Sequence, residues 1–317
     1  MNVLIILLRR EYWQHRKTFF VLPLVIAALC AFFLLAGLGT AQVIGDKISI
    51  DATIETHIQD GSQSERSSQE YSMAPGPMLF SDQLQRFAEL PLGQRETALN
   101  TLYLSFVAPL LLVLWLVVFM YFLTCLYDER KDRSMLFWKS MPVSDAMTVV
   151  AKLLTGLVLV PAIYFVLMMA LQVFLLLVSV VAATGLELNL WDTLVAPAHL
   201  LQRWGQMLVF MLFVALWCLP FFAWLILVSA WARSVPLVWV IGVPVVLVMA
   251  EQLFTDSDLV GSFIGDHSFP GDLTDRLAAG VGPLLANLAS LEFLVSLVLA
   301  GSMLAAAVYF RSRADEF

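Results

Sequence analysis

Four histidines, His15, His57, His199 and His267, are the first residues to weigh for chemistry. No two stand four apart, none lies inside a long apolar run, and no H-E-x-x-H occurs. A zinc protease of the membrane therefore lacks its ligands. The three cysteines, Cys30, Cys125 and Cys218, all fall within apolar runs, which suits small packing residues better than a disulfide framework or a thiolate metal site. No Gly-x-Ser-Gly or Gly-x-Gly-Asp is present. No glycine is followed by lysine, so the phosphate loop G-x-x-x-x-G-K-[ST] is absent and ATP is not bound through one. What polar chemistry exists inside the apolar runs comes from Glu251, Glu292 and the mid-run Gln172. Ionisable groups at such depth are functional candidates by default. Glu292 is a coupling-ion or proton site if its helix begins near Gly282, and an interfacial residue if it begins at Leu291. Gln172 reads as an interhelical hydrogen bond, with a ligand contact as the alternative.

The elements that must position these residues follow from composition. The chain of 317 residues is 60% hydrophobic and 14% charged, with a mean hydropathy of +0.84, whereas soluble domains run to about 45–50% apolar and ~25% charged. Crossing a bilayer takes roughly 20 apolar residues as a helix, since hydrocarbon offers the backbone no partner. Six segments qualify: Thr18–Val43, Leu102–Tyr127, Leu153–Ala183, Gln206–Ala232, Val235–Phe254 and Leu291–Phe310. The fold class expected is thus an all-α polytopic membrane protein with a single transmembrane domain over residues 1–317. Pro109, Pro161, Pro220 and Pro244 lie well inside four spans and are expected to kink them.

Twelve lysines and arginines fall before the first span, after the second, after the fourth and after the sixth; the opposite side carries six beside sixteen acids. The positive-inside rule then places both termini in the cytoplasm. Arg9, Arg10, Arg16 and Lys17 interrupt the first apolar run, so no cleavable signal peptide is expected. Residues 1–17 are amphipathic, with Leu4, Ile5, Leu8 and Tyr12 on one side and Arg9, Arg10, Gln14 and Lys17 on the other. They read as an interfacial helix with Arg9, Arg10 and Trp13 at the headgroups, or as a plain extension of the first span. Residues 44–101 form a long outer loop: its first half is polar, and Leu79, Phe80, Leu84, Phe87 and Leu90 then repeat at helical spacing up to Pro91. Residues 255–290 form a second outer connection, in which Leu277 to Ala289 is apolar but too short to cross and suits a re-entrant or interfacial segment.

The loop at 128–146 reads DERKDRSMLFWKSMPVSD from Asp128 to Asp145 and packs an aromatic cluster among charges. Ser134 can cap a short helix that Pro142 stops after about two turns, or ~12 Å. Met135, Leu136, Phe137, Trp138 and Met141 cover nearly all sides of it, with Arg130, Lys131, Asp132, Arg133 and Lys139 around them. An aromatic centre ringed by both signs of charge matches a protein cleft, with Phe and Trp as anchors. A helix lying on the membrane surface is the alternative.

Two stretches resemble the permease subunits of bacterial type-2 ABC exporters. LLRREYWQHRKTFFVLPLVIAAL is similar to that family's elbow helix and first span. YDERKDRSMLFWKSMPVSDAMTVVAKLL is similar to its cytoplasmic loop between the second and third spans. The resemblance implies a half-transporter of the bacterial inner membrane with no catalytic activity, cofactor or metal of its own. A second permease subunit, expected as an identical copy, would complete the path. Two cytoplasmic ATP-binding subunits, carrying ATP and Mg, would dock on the coupling helix at Arg130–Pro142. No nucleic-acid partner is expected. A path lined by Leu, Val, Phe and Met suits export of an amphipathic peptide, lipid or drug, the substrate itself being unidentified. The outer loop of more than fifty residues departs from the simplest family members. The rival readings are a membrane-embedded enzyme acting on a lipid or peptide, which needs convergent polar residues at one depth, and a secondary transporter or channel. No internal repeat relates residues 1–183 to 184–317.

Overall fold

A computed structural model describes residues 3–36, 80–132, 143–184, 189–254, 257–268 and 281–313. Every regular element among them is helical. We number ten: α1 Val3–Ala36, α2 Phe80–Glu89, α3 Leu92–Lys131, α4 Asp145–Ala182, α5 Trp191–Trp217, α6 Leu219–Trp231, α7 Pro236–Phe254, α8 Leu259–Ser268, α9 Val281–Leu288 and α10 Leu291–Ser312. Six of these, α1, α3, α4, α5, α7 and α10, are long and apolar enough to cross a membrane. Their large apolar side chains are widely exposed, Phe33 at 68% and Val298 at 74% among them. In water such surface would be a severe cost, whereas lipid tails cover it. The chain is a multi-pass membrane protein.

The helix bounds differ from the apolar windows in ways that local chemistry explains. α4 begins at Asp145, eight residues before the expected Leu153, because the Ser144 hydroxyl accepts from Met147 N at 3.2 Å and caps it. At 38 residues it is about 57 Å long against ~30 Å of hydrocarbon, far more than a perpendicular crossing needs, so it tilts or projects beyond the bilayer. The expected fourth span, Gln206–Ala232, is not one helix. α5 starts at Trp191 and stops at Trp217; Cys218 leaves the helical region (φ −83°, ψ 8°), and α6 restarts with Pro220 in its first turn. Proline has no N–H to continue the ladder but fits a first turn. Pro161 follows a widened π turn, Thr155–Leu159, closed by the Val160 N–H donating to the Thr155 carbonyl. Pro109 and Pro244 lie inside continuous helices.

The chain divides into two compact units. One comprises Leu24–Pro109 and Met168–Leu200. In it the amphipathic α2 ends before Pro91 and sets Phe87 against Ala183 and Leu194, with Leu176, Val180 and Leu190 around them. Arg95 donates to the Asp192 carbonyl at 3.1 Å, and His199, held left-handed at φ 44°, meets Glu96 at 3.1 Å. The other unit comprises Met1–Pro23, Leu110–Leu167 and Leu201–Phe317. Its core includes Phe122, Val160, Tyr164, Leu225, Ile226 and Ala307, all fully buried. Here α4 comes so near α3 that a Cβ on Gly156 would strike the Phe122 ring.

Candidate functional site

The first stem of the loop at 128–146 is fixed by two reciprocal caps. α3 breaks at Cys125–Leu126 and resumes at Tyr127–Lys131, which leaves amides without helical partners. Leu126 N and Tyr127 N both donate to Ser229 Oγ at 3.0 Å. In return the Arg130 guanidinium donates to the carbonyls of Ser229 (2.8 Å) and Ala232 (2.7 Å), at the C-terminal end of α6. A cation there also complements the helix dipole.

Beside these caps six charged side chains from four segments converge. In α1, Leu7 and Glu11 stand one turn apart on a single face and both are buried. In α4, Thr148, Val149 and Lys152 are buried, and in α10 Ala307 and Arg311 are, again one turn apart. Lys152 Nζ lies 3.0 Å from Glu11 Oε1 and 3.1 Å from Glu129 Oε1. Arg10 reaches the same Glu129 oxygen at 3.2 Å. Arg311 Nη1 meets Glu129 Oε2 at 2.7 Å, while its Nε donates to Asp145 Oδ1 at 3.0 Å. The second Glu11 oxygen accepts from the Tyr121 hydroxyl at 2.9 Å.

Three acids, Glu11, Glu129 and Asp145, thus face three bases, Arg10, Lys152 and Arg311. Burying each ion costs several kcal/mol, which only close pairing offsets. The side chains of Glu11, Glu129, Lys152 and Arg311 are no more than 4% exposed, so matched charge is a condition of the fold at this point. Each of the three carboxylates is met by a cation, an arrangement that holds the segments together. Glu129 is the hub, and Arg311 ties together the two stems on either side of residues 133–142, through Glu129 and Asp145.

The residues singled out by sequence are distributed unevenly around this cluster. Arg10 belongs to it, while Arg9 is exposed. Trp13 is exposed, edge-on to Tyr12, with the Arg16 guanidinium 5.7 Å from its ring centre. Arg130 is turned inward onto α6, and Lys131 and Asp132 are exposed. Arg133, Ser134, Met135, Leu136, Phe137, Trp138, Lys139, Met141 and Pro142 lie outside the described residues. Glu292 is exposed in the first turn of α10, whose N-terminus Ser290 caps by accepting from Phe293 N at 3.1 Å. Gln172 is buried in α4. Glu251 caps α8, accepting from Ser257 Oγ, Leu259 N and Val260 N, each at 2.8 Å.

Sequence reasoning missed Glu11, Lys152, Arg311 and Ser229 as site residues and counted Glu129 and Asp145 only as loop charges. One signal was available: Lys152 stands alone in the apolar run VVAKLL, and an isolated cation in such a run requires a buried partner. No protein-family model matches the chain, and no curated protein or solved structure matches it.

Proposed function

We propose that the chain is the permease subunit of a bacterial type-2 ABC exporter. Two copies form the translocation path in the inner membrane, and a separate cytoplasmic ATP-binding subunit docks on residues 128–146 of each. Both ends of the chain then lie in the cytoplasm, residues 1–17 serve as the elbow, and Leu277 to Ala289 forms a re-entrant segment before the last span. The exported substrate is amphipathic in character.

The observation that carries this reading is the mount beneath the docking segment. Its two stems, at Glu129–Arg130 and at Asp145, are joined to α1, α6 and α10 by buried ion pairs and helix caps. A surface loop without a mechanical task has no need of six matched charges at its base. A loop that receives force from an ATP-driven partner does need such a base, since coupling travels through packed, hydrogen-bonded elements. The long α4 gives one stem a direct connection into the membrane.

Topology tests this reading. Single cysteines at Ser134 and Ser312 are expected to react with a membrane-impermeant thiol reagent only after cell lysis, and cysteines at Ser67 and Asp272 in intact cells. Labelling of Ser134→Cys in intact cells would place the docking segment outside and overturn the proposal.

A further inference from the structure

The ion cluster contains more than a mount requires. Arg311 by itself suffices to join the two stems to α10, through Glu129 and Asp145. Lys152 does something different, since its ammonium is shared between Glu129 on a stem and Glu11 on the N-terminal helix. Those two carboxylates come from segments more than a hundred residues apart, Glu11 bonding Lys152 across 141 positions. The backbone of α1 is also interrupted just after Glu11. His15 leaves the helical region (φ −110°, ψ 17°), and Lys17–Val21 forms a π turn before the span proper. Such an interruption marks where a helix can bend. The segment before it therefore has a hinge at one end and a shared cation holding its face.

We propose that Lys152 is the bolt of an ionic latch, holding the N-terminal helix, Val3–Arg16, against the loop stem. Losing one of its two carboxylates lets that helix swing about the His15 interruption. The energetics favour two discrete states over gradual loosening. A buried ammonium between two buried carboxylates is stable while all three stay together, and separation exposes every one of them to water at once. The Arg10–Glu129 contact, more exposed at its arginine end, adds to the closed state. A docking partner that displaces Glu129 by a few ångströms would open the latch and release the helix at the membrane surface. The identity of what moves the stem rests on the permease reading; the latch itself does not.

Amide hydrogen exchange on the full chain in lipid nanodiscs, with no ATP-binding protein present, tests the latch apart from that reading. Glu11→Gln keeps an acceptor for Tyr121 and leaves Lys152 paired with Glu129, and a helical signal equal to the parent's in the same nanodiscs shows that it is folded. Its Val3–Arg16 amides should exchange about tenfold faster, with Tyr127–Lys131 unchanged. Lys152→Met should accelerate both segments by at least about tenfold, Lys152→Arg should stay near the parent, and adding Glu11→Gln to Lys152→Met should slow exchange again by removing the stray carboxylate. Unchanged Val3–Arg16 exchange in Glu11→Gln overturns the latch. So does a Glu11→Gln/Lys152→Met double variant no slower than Lys152→Met, which would assign the effect to packing. A failed latch leaves the docking of an ATP-binding subunit untouched, and a failed docking leaves the latch standing.

Discussion

Glu129→Gln is expected to destabilise the protein by about 3–5 kcal/mol, the cost typical of removing one partner from a buried ion pair. The substitution preserves shape and removes only charge. Arg10, Lys152 and Arg311 all meet this carboxylate, and it is 3% exposed, so the cations lose their common partner where water does not replace it. Glu11 and Asp145 stay behind as two acids for three bases. The neighbouring Lys131, exposed at the same stem, supplies the control. Lys131→Gln should fall within about 0.5 kcal/mol of the parent, as exposed substitutions usually do. Unfolding in detergent, followed by the loss of helical signal, measures both. A Glu129→Gln variant as stable as Lys131→Gln would mean that the cluster does not hold the stems.

The second large effect concerns partner binding. Phe137→Asp and Trp138→Asp should each leave the chain inserted and folded but weaken its hold on the ATP-binding subunit. Loss of an aromatic anchor at an interface centre costs at least ~2 kcal/mol, or about thirtyfold in affinity. Arg130 is committed to the carbonyls of Ser229 and Ala232, whereas Lys131 and Asp132 are exposed and would stand at the rim of such an interface. Rim charges set register and approach, and contribute less to affinity. Pull-down of a tagged ATP-binding subunit from detergent reads the loss directly. Undiminished recovery with both variants removes the docking assignment from this segment.

The membrane-spanning helices were legible because hydrocarbon leaves the backbone one solution, and an apolar run announces it. The last span shows how well this works: its expected start at Leu291 is the residue that follows the Ser290 cap. The fourth shows where it fails. Hydropathy runs smoothly across Cys218 and suggests one span at Gln206–Ala232 kinked at Pro220, whereas the helix stops at Trp217 and a new one starts with Pro220 in its first turn. The amphipathic α2 was readable from the spacing of its apolar residues, with Phe87 packing inward. The ion cluster was not readable in this way. Glu129 and Arg311 are 182 positions apart, and Glu11 and Lys152 are 141 apart. No local period links them, and nothing in the sequence pairs one with another. Ser229 was hidden for the same reason, since its two amide donors lie about a hundred positions away on α3.

The central claim is that this chain works only with a separate ATP-binding subunit. ATP hydrolysis by the co-expressed, co-purified pair in lipid nanodiscs tests it most directly, compared with each protein alone. The account predicts that a co-expressed ATP-binding subunit stays bound to this chain through purification. It further predicts that hydrolysis in the pair exceeds that of either protein alone and falls to the level of the isolated ATP-binding subunit when Phe137→Asp is introduced. A chain that purifies without any such subunit and conducts ions or turns over a lipid or peptide by itself would contradict it.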